Sequence, residues 1–164
     1  PWRISISRCF ILLWRITEAG TMTYRLREML KRHEGVKNYA YEDHLGYVTV
    51  GVGRCLDENV GLGLSDDEID YLLQNDLNRC REELESEYWW FEDLDSVRQE
   101  ALIDLSFNVG QTRLRGFVKA LDHMSKSNFE EAGDEFYDSK WATQVGDRAL
   151  EICQMIRSGE YQER

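Results

Sequence analysis

Proline is all but missing from this chain, its one copy standing at position 1. With 12 glycines and 42% hydrophobic residues over 164 positions, that composition excludes a disordered chain. The length is enough to bury a real core, and is read as one domain in two lobes. Positive charge is scarce as well. Twenty Lys and Arg face 31 Asp and Glu, a net of −11. Residues 1–22 carry Arg3, Arg8 and Arg15 against Glu18, a net of +2, which leaves −13 of that total for the rest. Such a balance argues against a nucleic-acid partner, because phosphates must be met by Lys and Arg. Cysteine is sparse and scattered. Cys9, Cys55, Cys80 and Cys153 lie too far apart for a metal clip or a dense disulfide framework, and the three histidines show no ligand spacing. The cysteines are read as reduced thiols packed like small apolar groups.

Long apolar runs are absent too. Cys9-Phe10-Ile11-Leu12-Leu13-Trp14 is only six residues. A membrane span needs roughly 20, and a signal-peptide core about 7 to 15. Three readings of residues 1–21 stand open: a cleaved signal, a signal anchor, or sequence upstream of a start at Met22. The last is preferred, so that segment is set outside the fold and no stable membrane insertion is expected. No repeat, low-complexity run or long linker follows.

What is present begins at Thr23 with a helical pattern. Leu26, Met29 and Leu30 share a face, and Gly35 stops the helix just after Glu34. A carboxylate there meets the negative end of the helix macrodipole, which disfavours its ionised form. A structural design would place Lys or Arg at that position, although a solvated surface glutamate is the competing reading. Two β-rich stretches, Tyr39 to Tyr41 and Tyr47 to Val52, flank the turn Glu42-Asp43-His44-Leu45-Gly46. Asp43 suits such a turn because its side chain accepts backbone N–H bonds, and those bonds would keep it ionised. Thr49 is an ordinary strand residue by propensity. Gly51 and Gly53 lack nucleotide-loop spacing and mark a kinked strand or a close approach of ligand to backbone.

The acidic loop from Asp57 to Gly63 fails as a calcium loop, since its sixth position is Leu62. Ser65-Asp66-Asp67-Glu68 is a capping box opening a helix. Its stripe of Ile69, Leu72, Leu73, Leu77, Cys80 and Leu84 runs about five turns, some 30 Å, and suits a connecting spine. Trp89, Trp90 and Phe91 are expected to plug the core of the second lobe, with sugar stacking as the alternative. Asp95 caps the next helix, whose apolar face is Val97, Ala101, Leu102 and Leu105 and which ends at Gly110. Leu114 to Met124, Asn128 to Tyr137 and Gly146 to Arg157 complete a series of short helices.

Taken in order, MLKRHEG, YEDHLGYVTVGVGR, LSDDEIDYLLQND, LDSVRQEALIDLSFNVG, LRGF and SKWATQVGDRA resemble the T-even phage lysozymes of glycoside hydrolase family 24. The resemblance runs from Met22 to Tyr161. It implies an α+β, mainly helical fold: a small lobe at about 35–64 with a β-hairpin, a connecting helix at about 66–86, and a helical lobe at about 87–161 joined by the first helix. It implies a peptidoglycan hydrolase cutting the β-1,4 bond between N-acetylmuramic acid and N-acetylglucosamine, with bacterial peptidoglycan as partner. Glu34, Asp43 and Thr49 match the family's spacing of nine and then six residues. In the family's inverting mechanism, Glu34 would be the acid and Asp43 with Thr49 would hold the attacking water. No metal or cofactor is implied, since those groups do all the proton work.

The resemblance also marks substrate-binding positions. Phe107 matches a cleft aromatic, Cys55 an apolar cleft residue, and Gly53 a position beside the sugar path. Arg148 matches an arginine close to the catalytic glutamate, and Ala120 and Glu135 stand where the prototype's cleft has serine and asparagine. A monomer is implied, held in the host cytoplasm before it acts on the wall. Arg54 replaces a histidine, so that histidine's ion pair with an aspartate is not preserved. The loop after Gly53 is shorter than the prototype's. The acidic balance is the largest departure, because cell walls are negatively charged; Arg54, Arg113, Arg115 and Arg148 would make the cleft locally basic. Two other readings compete: a catalytically silent carbohydrate-binding relative, and a plain acidic helical interaction protein. Neither explains why Glu34, Asp43 and Thr49 are all in place.

Overall fold

The computed structural model describes residues 24–162. The expectations for residues 1–21 and for a start at Met22 lie outside the described residues. The fold is mainly helical, with one small antiparallel sheet. It divides into two compact units between Glu68 and Ile69, inside a long helix.

In the first unit, helix α1 covers residues 24–34, and Gly35 at φ +76° ends it, a backbone setting that favours glycine. Strand β1 (Lys37–Glu42) pairs with β2 (Val48–Gly51), and β2 pairs with β3 (Arg54–Cys55). The partners are Tyr41↔Thr49 and Thr49↔Cys55, so these three residues form one row across the sheet. The glycine pair does more than kink a strand. Gly51 and Gly53, at φ +68° and +76°, flank Val52 in a tight turn that sends the chain back as β3. Beyond β3 the acidic loop folds onto it, with Gly61 N donating to Asp57 O at 2.8 Å. A Cβ on Gly61 would collide with the Cys55 carbonyl, so the loop closes only around a glycine.

Helix α2 (Asp66–Glu87) opens on the expected capping box: Glu68 Oε2 accepts from Ser65 N at 2.9 Å and from Ser65 Oγ at 3.0 Å. The same carboxylate takes both guanidinium nitrogens of Arg54, at 2.7 and 3.1 Å. The substitution that removes the prototype's histidine therefore installs a different ion pair.

The second unit is built around α3 (Ser96–Val109), which buries Ala101, Leu102, Ile103, Leu105 and Ser106. Asp95 caps it by accepting from Arg98 N, and Gly110 at φ +76° closes it. After it come α4 (Gln111–Leu114), α5 (Val118–Ser125), α6 (Phe129–Tyr137), α7 (Lys140–Val145) and α8 (Asp147–Ser158). Helix α8 packs on α3, α6 and α7, and α6 also on α5. Arg98 locks this arrangement. It donates to the Ile156 and Arg157 carbonyls at 2.7 and 2.8 Å and stacks over Phe129 with its guanidinium carbon 3.8 Å from the ring centre. The helix end is thereby satisfied by a side chain from another helix.

One expectation needs correction, and one helix is added. Trp89 does not plug the core: it is 79% exposed, while Trp90 and Phe91 are buried. Consecutive residues entering a short 3₁₀ turn (Phe91–Asp93) cannot all face inward. The helical unit covers the α2 stripe only from Leu77 onward, through Cys80 to fully buried Leu84. Helix α7 is an addition. It rests on a Ser139 cap at 3.1 Å and Gly146 at φ +59°, and its six residues are too few to show a hydrophobic period. Among the described residues, Cys55, Cys80 and Cys153 are free thiols. Burial pushes the Cys153 thiol up to about 11, as expected of a packed apolar group. No helix of the described residues is long and apolar enough to cross a membrane.

Phe136 is fully buried, with its ring 5.3 Å from that of Phe117. Phe136→Ala should destabilise the fold by about 3–5 kcal/mol, whereas Trp89→Ala should change it by no more than about 0.5 kcal/mol. Urea denaturation of the two variants checks both values.

Candidate active site

The β1–β2 turn is organised by Asp43. Its Oδ1 accepts from Leu45 N at 2.8 Å and from Tyr47 N at 3.0 Å. The backbone closes the same turn, with Asp43 N donating to Tyr47 O at 2.9 Å and Gly46 N to Asp43 O at 3.0 Å. The Tyr47 amide above all holds the Asp43 carboxyl below its usual range; desolvation opposes it, and the Leu45 amide adds to the lowering. Asp43 is therefore an ionised carboxylate at neutral pH, as its place in the turn leads one to expect. Two of its roughly four lone-pair sites are taken, and the others can accept from water.

Thr49 lies in the central strand and is only 3% exposed. Its hydroxyl donates to the Tyr47 carbonyl at 3.2 Å, which commits its proton and leaves its oxygen as an acceptor. Cys55 sits opposite Thr49 on β3, half-buried. Glu34 is exposed at the last turn of α1. A Cβ built on Gly53 would lie 3.9 Å from Glu34 Oε2, so the acid's oxygen faces the bare backbone of the β2–β3 turn. The first unit thus brings Glu34 to Gly53, and places Thr49 and Cys55 side by side.

The remaining candidates lie in the second unit. Phe107 and Arg148 line one groove of about 530 Å³, together with Leu77, Glu100 and Asp104. Arg148 Nε donates to Asp104 Oδ1 at 2.9 Å, joining α8 to α3. Sequence reasoning missed Asp104, whose signal is an acid one turn before Phe107, between the apolar residues Ile103 and Leu105. Ala120 and Glu135 line a second groove of about 270 Å³ with Phe117, Lys119 and Ser139. Ala120 is buried and offers only a methyl surface, and Glu135 faces Lys119 at 3.5 Å. Asn108 is a further omission. It accepts from Trp141 Nε1 at 2.7 Å and so anchors α7 to α3.

The arginines expected to supply local positive charge are mostly paired. Arg54 is held by Glu68, Arg148 by Asp104, and Arg115 by both oxygens of Glu87 at 2.7 and 2.9 Å. Each pair is neutral overall, so the local basicity inferred from residue types is largely cancelled. Among the described residues, no group of three or more His, Cys, Asp or Glu is placed to hold a metal ion.

The sequence matches the family model of phage lysozymes over residues 31–157. It is similar to "Probable T4-type lysozyme 1" of Dictyostelium discoideum, 26% identical over 84% of this chain and 96% of that protein. It is also similar to the "Endolysin" of Salmonella phage P22, 30% identical over 65% of this chain and 75% of that protein. A third relative is the "Pre-baseplate central spike protein Gp5" of Enterobacteria phage T4, 26% identical over 82% of this chain but only 28% of that protein.

The depressed Asp43 carboxyl has a pH signature. A group whose folded pKa is lowered stabilises the fold above its unfolded value, about 3.9 for Asp, and loses that contribution as pH falls through the folded value. Asp43→Asn should therefore melt below the wild type at pH 7, with the gap closing as pH is lowered below about 4. Melting curves across that range check it; equal melting temperatures at pH 7 would rule it out.

Proposed function

The chain belongs to the phage lysozyme family, and on that premise we propose that it is a muramidase that hydrolyses the β-1,4 bond between N-acetylmuramic acid and N-acetylglucosamine in bacterial peptidoglycan. The observation that carries this reading is the contrast between two carboxyl groups in one compact unit. Asp43 is fixed in its charged form by backbone amides, while Glu34 ends a helix against the bare Gly53 turn. A carboxylate held charged and a second carboxyl group beside open backbone are the parts an acid–base pair for glycoside hydrolysis needs.

The proton flow follows from these settings. Glu34 in its carboxylic form donates its proton to the glycosidic oxygen as the bond to the anomeric carbon breaks. Asp43 accepts a proton from the attacking water, whose oxygen forms the new bond to that carbon. Thr49 cannot donate to the water while its hydroxyl proton is held by Tyr47 O, so it accepts from the water and turns a lone pair toward the sugar. One proton leaves the protein and one returns, and water adds across the bond. In the inverting form of this chemistry the water approaches the face opposite the leaving group. Gly53, Cys55, Phe107, Ala120, Glu135 and Arg148 are the residues we assign to sugar contact, on the strength of their match to the family's cleft positions.

Clearing of bacterial cell-wall suspensions tests the reading. Wild type should clear them, Glu34→Gln should lose at least about 100-fold in rate and Asp43→Asn a similar amount, and Thr49→Ala should keep partial activity. If the three variants clear as fast as the wild type, the assignment of Glu34, Asp43 and Thr49 falls; if no wall type is cleared, the muramidase reading falls and the silent carbohydrate-binding relative takes its place. The anomer released first, read by NMR before mutarotation, should be α; a β product would replace inversion with retention.

A further inference from the structure

Arg54 is the residue that follows Gly53, and its side chain reaches the start of α2. One guanidinium nitrogen donates to the Gly63 carbonyl at 3.0 Å and to Glu68 Oε2 at 3.1 Å, and the other donates to Glu68 Oε1 at 2.7 Å. This is a two-pronged contact between a planar cation and a planar anion. Glu68 is itself immobilised by Ser65, whose N–H and hydroxyl both donate to Oε2. The anchor therefore does not depend on the arginine for its position.

Besides its ladder with β2, the strand that Arg54 begins is held at its far end, where Leu56 N donates to Val48 O at 2.8 Å and Gly63 N to Cys55 O at 3.3 Å; at the end beside the Val52–Gly53 turn the side-chain tie is that of Arg54. β3 is two residues long and lies at the edge of the sheet, paired through Thr49↔Cys55 and Val50↔Arg54. So short a strand is weakly registered by its backbone bonds alone. On its other side stands Gly53, whose missing Cβ would lie 3.9 Å from Glu34 Oε2. A shift of an ångström in the Val52–Gly53 turn would close or open the space beside the acid. Displacements of that size are costly to a reaction that depends on alignment.

We propose that Arg54 is a positioning residue for the acid: its fork to Glu68 and its bond to Gly63 hold the Val52–Gly53 turn at the distance from Glu34 that the glycosidic oxygen needs. The proposal rests on the assignment of Glu34 as proton donor. It requires arginine in particular. A lysine would keep the charge but lacks the fixed fork that engages both Glu68 oxygens and the Gly63 carbonyl together. Because the hydrogen bonds of Arg54 go to Glu68 and Gly63, its loss should act on the transition state more than on substrate affinity.

The test is kcat and KM on solubilised glycan strands for Arg54→Lys, Glu68→Gln and the double variant, all well below their melting temperatures. Arg98→Lys, which weakens the second unit and shares no hydrogen bond with this network, is the control for a general loss of stability. Each of the first two should lose about tenfold in kcat, about 1.4 kcal/mol of barrier, with KM within about twofold. The double variant should be no worse than the poorer single one, since both remove the same contact. Arg98→Lys should keep its kcat while its melting temperature falls. A wild-type kcat in Arg54→Lys, or a loss confined to KM or to the melting temperature, overturns the proposal while leaving the muramidase reading intact. Clearing that survives Glu34→Gln overturns both. A measurement independent of turnover is amide exchange, followed by NMR, at Leu56 and Gly63, whose N–H groups donate to Val48 O and Cys55 O at 2.8 and 3.3 Å. It should quicken at least about tenfold in Arg54→Lys, and unchanged exchange also overturns the tether.

Discussion

Two backbone amides pointing at one carboxylate oxygen set the geometry of the first unit. Asp43 accepts from Leu45 and Tyr47, and the turn they define fixes the pairing of β1 with β2. That register puts Thr49 in the middle of the sheet with Tyr41 on one side and Cys55 on the other. It also puts the Tyr47 carbonyl where the Thr49 hydroxyl can reach it. The same bonds that shape the turn keep the carboxyl charged, so shape and protonation state are a single property of this residue. A neutral side chain would relax both.

The second unit depends on a different kind of anchor. Its centre, α3, is apolar around more than one face and cannot be oriented by amphipathicity alone. Polar side chains placed along it supply the direction. Arg98 reaches the carbonyls that end α8, Asp104 takes Arg148 from the start of the same helix, and Asn108 holds the Trp141 indole. These contacts tie three points along one helix to α7 and α8, and the apolar core fills the space between them.

Charge explains a further feature of the chain. With a net of −11 it meets a negatively charged wall at a disadvantage, though screening confines the repulsion to about 8 Å at physiological ionic strength. Three of the four arginines that might have offset it, Arg54, Arg115 and Arg148, are engaged by Glu68, Glu87 and Asp104. Their work is geometric, orienting strands and helices through paired hydrogen bonds, and the field they present to a polymer is correspondingly small.

Local chemistry was legible in the sequence by itself. Gly35 had to end a helix at Glu34, Asp43 had to organise a turn, Ser65 with Glu68 had to open a helix, and Asp95 had to cap another. Each depends on residues within about four positions, where steric limits and backbone hydrogen bonds act without help from the rest of the chain. Packing across the chain was not legible. Nothing local distinguishes exposed Trp89 from buried Trp90, assigns Glu68 a second partner 14 residues upstream, or pairs Asp104 with an arginine 44 residues on. Helix α7 was too short to leave a period. The sequence alone determined where the two carboxyl groups stand along the chain and which local settings they occupy. Only the tertiary structure decided that the Gly53 turn meets the Glu34 carboxylate and that Arg54 is spent on Glu68, because both are contacts between segments whose separation only folding removes.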